Sequence, residues 1–176
     1  PVPIRRIRLA EAGHPLPDER GLAASAMLLE LARGARGDDL VLFLVSGGGS
    51  ALTPAPAPPV TLAEKHEVTR LLLAAGATIG ELNAVRKHLS QLKGGQLARA
   101  AWPATTLTLA LSDVIGDPLD VIASGPTAPD PTTFATALEV LERRRVWVRT
   151  PASVLDRLEA GLKGEVEETL KPGDRV

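Results

Sequence analysis

Six consecutive apolar residues, Leu40-Val41-Leu42-Phe43-Leu44-Val45, run directly into Ser46-Gly47-Gly48-Gly49-Ser50. An unbroken apolar run of this length suits a strand covered on both faces, the usual condition of strands in a parallel α/β sheet. The glycines permit positive φ and close approach of backbone amides to a ligand, which makes the strand end a candidate anion-binding loop. A Gly/Ser linker or a plain turn has the same composition. The rest of the chain has to decide between them.

The 176 residues are enough for one large domain with a real core. Aromatics are confined to Phe43, Phe134, Trp102 and Trp147, and the formal net charge is -1. Base-stacking platforms and a basic excess are therefore both lacking, which argues against nucleic acid as a main partner. The absence of cysteine rules out a disulfide framework, a thiol nucleophile and a cysteine metal site. The apolar run at 40–45 is too short to span a bilayer and the start has no signal-peptide pattern, so the expected setting is cytoplasmic and away from membranes. Oligomeric state stays open. The first residue is Pro1, and a strand-like start at Ile4 and a loose end at Pro172-Gly173-Asp174 fit a part of a longer protein.

Along the chain, segment 4–9 alternates as a short strand, and Asp18 caps a helix over 22–32 that ends at Gly34 and Gly37. The strand at 40–45 follows. Pro54 to Pro59 interrupts regular structure and reads as a stiff surface connector in preference to a lid. Capping boxes at Thr61–Glu64 and Thr78–Glu81 start two helices, the first reaching Gly76 and the second Leu92, before Gly94-Gly95. A short helix over 96–101, a strand over 105–112, a helix from Asp130 and Pro131 to Arg143, a short strand over 146–148 and a helix over 151–161 complete the pattern. The fold class expected is α/β, a layered, mostly parallel sheet flanked by helices.

Helical rotation places Leu82, Val85, Leu89 and Leu92 on one side of the second capped helix and Asn83, Arg86, Lys87 and Ser90 on an adjoining arc. Lys93 extends that positive surface, which suits a phosphate; the competing reading is a solvated helix face. Asp113 and Asp117 lie just past the 105–112 strand, where open α/β sheets place ligands, and can hold Mg²⁺, orient a hydroxyl or serve as turn residues. His14, His66 and His88 show no paired metal-ligand spacing, and His88 reads as a boundary residue beside the basic arc. The chain has no G-x-x-x-x-G-K-[ST], its glycine triplet does not fit G-x-G-x-x-G, and Ser50 lacks a nucleophile-elbow context.

Taken in order, Ser46 to Leu52, NAVRKHLSQLKGG from Asn83 to Gly95 and SDVIGDPLDVIASGPTAPDPTTF from Ser112 to Phe134 closely resemble the glycerate 2-kinase family. Glu11 to Pro15 and Lys171 to Asp174 fit as well. The resemblance implies a Rossmann-like N-terminal domain of which residues 1–176 form a part, the smaller C-terminal domain lying outside this chain. It implies ATP-dependent phosphorylation of D-glycerate at the 2-hydroxyl with Mg²⁺, giving 2-phosphoglycerate and ADP. The family's catalytic lysine and a further active-site arginine are expected outside this chain, and within it the inventory of charged residues suited to phosphoryl transfer makes Arg86, Lys87 and Asp113 the expected catalytic residues. Ser46, Gly47, Gly48, Gly49, Ser50, Asn83 and Lys93 become the expected substrate or phosphate ligands, and Asp113 and Asp117 the expected Mg²⁺ ligands. A hydroxypyruvate-reducing oxidoreductase, a name relatives of the family have carried, lacks its dinucleotide fingerprint here. A noncatalytic nucleotide or sugar-acid binding module is the second alternative.

Overall fold

Two parallel strands lie at the centre of the chain in a computed structural model that describes residues 6–112 and 114–176. β1 (Leu40–Val45) pairs with β2 (Thr105–Ala110) in register from Leu40↔Thr105 to Val45↔Ala110. Parallel neighbours need a crossover. Here it consists of α2 (Gly49–Leu52), α3 (Leu62–Ala74), α4 (Ile79–His88) and α5 (Gln96–Ala101). α1 (Glu19–Arg33) precedes the sheet, and α6 (Phe134–Arg143) and α7 (Ala152–Leu162) follow it. The expected α/β class with a parallel sheet and flanking helices is what the chain adopts. No described helix is long and apolar enough to cross a membrane.

The core divides in two. Val68, Leu71 and Leu72 of α3 pack with Val85 of α4, Leu141 of α6 and Leu158 of α7. Each such fully buried aliphatic side chain contributes roughly 1.5–3 kcal/mol. A second cluster, Leu29 and Ala32 of α1 with Leu97 and Ala101 of α5, receives Val41 and Phe43 from one face of β1.

The other face of that strand departs from expectation. Leu40, Leu42 and Leu44 are exposed, as are Leu107 and Leu109 of β2, so the run of six apolar residues is covered on one side only. The proline segment is also different, since Ala55 and Ala57 are buried. Ala57 N–H donates to Leu89 O and Gln91 N–H to Ala55 O, an antiparallel contact that stops α4 at His88 well short of Leu92. α6 starts at Phe134 under a Thr133 cap, because Asp130 is occupied with other partners. Residues 147–149 form a 3₁₀ turn where a strand was expected. Residues 6–9 form no strand, and Ile4 and Arg5 lie outside the described residues.

Candidate active site

β1 delivers the chain at Val45 into Ser46 and Gly47, both exposed. Gly48 then turns with φ 83° into the single helical turn of α2, where the sequence pattern pointed to loop only. The positive φ at Gly48 disfavours a side chain there, and a Cβ would lie 2.9 Å from His14 Nε2, so His14 would have to move. His14, which showed no pairing in the sequence, thus sits against the glycine turn.

Ser50 is the hub of the site. Its Oγ accepts from the Arg86 guanidinium at 2.8 Å and lies 3.1 Å from Ser124 Oγ. Ser124 Oγ donates to Asn83 Oδ1 at 3.2 Å, and Lys93 Nζ donates to Ser50 O at 3.0 Å. Ser124 is presented from a turn in which Ala123 has φ 51° and Ser124 itself φ 65°. Non-glycine residues in that region carry strain of order 1–3 kcal/mol and cluster at ligand sites. The Thr78–Glu81 capping box of α4 fixes the helix that brings Asn83 and Arg86 here. Asn83, Arg86 and Lys93 therefore converge with Ser50; Asn83, Lys87, Ser90 and Lys93 are buried and Arg86 half-buried, so the basic arc is not a solvated face.

Behind Ser50 lies a cavity of about 340 Å³ lined by Lys65, His66, Arg86 and Lys93. Lys65 Nζ donates to Leu89 O at 2.9 Å. His66 Nε2 is buried and has no hydrogen-bond partner among the described residues. Burial, reinforced by the Arg86 charge, brings Lys93 down to about 7. Burial drives Lys65 well below the ordinary lysine range, with the charges of Lys93, Arg86 and Arg157 acting in the same direction. His66 is lowered by burial and then by Lys65 and Arg86. Cations packed this way favour a bound anion. Sequence reading missed Lys65 and His66. The available signal was a lysine at i+3 from Leu62 and i−3 from Val68, on the stripe that α3 buries.

Lys87 has different company. It is 2% exposed, and its Nζ lies 3.2 Å from both Asp120 and Asp130. Both carboxylates neutralise it, and it makes no contact with the Ser50 cluster. Asp117 is exposed in a left-handed turn with φ 51°, and Asp113 lies outside the described residues. Among the described residues, no group of three or more His, Asp or Glu is placed to hold a metal ion. His88 is buried, its Nδ1 2.6 Å from Ala84 O and its Nε2 2.7 Å from Glu168 Oε1.

Residues 1–159 match the family described as "Domain of unknown function (DUF4147)". A glycerate 2-kinase of Pyrococcus horikoshii is 48% identical over 168 residues, covering 96% of this chain and 38% of the relative. A putative hydroxypyruvate reductase of Agrobacterium vitis is 52% identical over 142 residues, covering 81% of this chain and 32% of that protein. The crystal structure of a glycerate kinase from Thermotoga maritima superposes with a TM-score of 0.88 at 46% identity, covering 97% of this chain and 39% of that one. The chain thus spans well under half the length of the relatives it matches.

Proposed function

The chain belongs to the DUF4147 family, that of the glycerate 2-kinases, and from this premise we propose that the full-length protein transfers the γ-phosphoryl group of ATP to the 2-hydroxyl of D-glycerate. The observation that carries the reading is the convergence of Arg86, Lys93 and Asn83 on Ser50 beside the glycine turn. Both substrates are anions, and phosphoryl transfer relies chiefly on positioning and charge neutralisation. In the step, the 2-oxygen attacks the γ-phosphorus, its proton passes to solvent water, and the bond from that phosphorus to the β-phosphate oxygen breaks to release ADP.

Arg86 offers a planar guanidinium and Lys93 a compact charge to oxyanions. Ser46 to Ser50 supply backbone and hydroxyl donors, while Asn83 holds Ser124 and through it Ser50. Lys87, tied to Asp120 and Asp130, fixes α4 against the 120–130 loop and so acts on the site through Asn83 and Arg86. We assign Mg²⁺ to Asp117, with Asp113, four residues earlier in the sequence, as its second carboxylate. Asp117 fits that role, being exposed and without an ion pair among the described residues, as a carboxylate ligand of a largely hydrated ion must be. When bound, the ion would neutralise phosphate charge. A cytoplasmic reaction is part of the same reading.

The test is product identity. Full-length protein with ATP, Mg²⁺ and D-glycerate should yield 2-phosphoglycerate and ADP in equal amounts, resolved by phosphorus NMR. NAD(P)H oxidation by hydroxypyruvate without ADP formation would favour the oxidoreductase. ATP binding with no ADP formed from any glycerate-like acid would leave a binding module.

A further inference from the structure

We propose that the cavity behind Ser50 takes the carboxylate of the acceptor acid, not the nucleotide's phosphates, with Lys65 and His66 as binding residues alongside Arg86 and Lys93. This deepens the kinase reading and rests on it for the identity of the acid.

Four observations carry it. First, every titratable group lining the cavity is a base: Lys65, His66 and Arg70 come from α3, Arg86 from α4 and Lys93 from the segment before α5. Arg157 of α7 adds its field to Lys65. Second, no carboxylate lines the space, whereas nucleotide phosphates arrive with a divalent cation that needs carboxylate ligands. Third, His66 Nε2 is buried and has no hydrogen-bond partner among the described residues, a state that costs free energy until a polar partner is supplied. Fourth, much of the remaining lining is apolar, with Leu16, Pro54, Leu62 and Leu73 among it. About 340 Å³ sits at the low end of small-molecule sites and has no aromatic ring besides His66 to stack a base. A short carbon chain with one carboxylate matches this mixed lining.

The chemistry is self-consistent. Lys65 and Lys93 each have one N–H committed, to Leu89 O and Ser50 O, leaving donors for a ligand oxygen. An entering carboxylate relieves the repulsion among the cations and restores their charged forms. Because Lys93 stands at about 7 without the ligand, binding above that pH takes up a proton. Below it Lys93 is already charged and contributes no uptake.

The experiment uses full-length protein with D-glycerate, glycerol and ATP as separate probes. D-glycerate should bind and glycerol should not. Lys65→Met should raise Kd and KM for D-glycerate at least about tenfold and leave Kd for ATP within about twofold. His66→Leu should weaken the acid and His66→Gln retain it. An unchanged glycerate Kd in folded Lys65→Met, or a loss of ATP affinity instead, overturns the assignment. Where Lys65→Met does not fold, His66→Leu decides: D-glycerate binding weakened at least about tenfold with Kd for ATP within about twofold supports the site, and an unchanged glycerate Kd overturns it. Formation of 2-phosphoglycerate with an unchanged KM in Lys65→Met would sink this site and leave the kinase standing. Lys65-dependent binding of the acid without any ADP formation would do the reverse.

Discussion

Arg86 and Lys87 at the end of α4 and Lys93 in the segment that follows lie close in sequence but fall into opposite electrostatic states, and this decides what each substitution does. Asp130 is 0% exposed and faces the Lys87 ammonium. Lys87→Ala leaves that carboxylate uncompensated, so urea unfolding should show a loss of about 3–5 kcal/mol. Lys93 is the contrary case, because its neighbour Arg86 is another cation and burial has already lowered its affinity for a proton. Lys93→Met gives up one hydrogen bond but relieves repulsion, so stability should stay within about 1 kcal/mol while turnover of the full-length protein collapses. Equal stability losses for the two variants would refute the distinction. Rotation at 100° per residue puts Arg86 and Lys87 on one arc, but their partners come from residues 50 and 120–130, which no local periodicity encodes. Lys65 is hidden for the same reason, as its neighbours are brought in by other helices.

At the scale of elements, the clearest joint is the one made by Glu168. Its carboxylate accepts from His88 Nε2 of α4 at 2.7 Å, from Phe134 N–H at the start of α6 at 3.1 Å and from Thr169 N–H at 2.9 Å. Burial pushes this carboxyl up, but the His88 hydrogen bond and charge and the two amides outweigh it and leave it at about 2. A carboxyl depressed in the folded state stabilises fully above its unfolded pKa near 4.5, and that contribution is lost as pH falls towards 2. Glu168→Gln should therefore cost about 1–3 kcal/mol at pH 7 and flatten the stability curve between pH 4.5 and 2 relative to wild type. Parallel curves would remove Glu168 from the joint. The elements themselves were mostly legible: capping boxes at Thr61 and Thr78 give the starts of α3 and α4 as observed. Their ends were less so, because α4 stops where Leu89 and Gln91 pair with Ala57 and Ala55, a contact across more than thirty residues of sequence.

For the whole molecule, the leucines of the sheet pose the remaining question. Leu42 is 51% exposed in a run expected to be covered on both faces, and Leu109 of the alternating β2 strand is 56% exposed beside it. The sequence pattern is that of a fully buried parallel strand, and the chain spans 38% of the length of its Pyrococcus relative. We propose that residues of the full-length protein outside this chain cover the Leu40, Leu42, Leu44, Leu107 and Leu109 face. In these 176 residues the apolar run is covered on one face only, and two-sided cover is what the larger protein would supply. The same substitution distinguishes the two settings. In the 176-residue chain, Leu42→Ala and Leu109→Ala remove side chains already half in water and should change unfolding free energy by no more than about 0.5 kcal/mol. In the full-length protein each should cost about 2–5 kcal/mol through lost burial and the cavity left behind. The isolated chain should also bind a hydrophobic dye through this face, and Leu42→Lys should reduce that signal. Small and equal effects in both settings would mean that the face stays open, and the cover proposed for it would have to be abandoned.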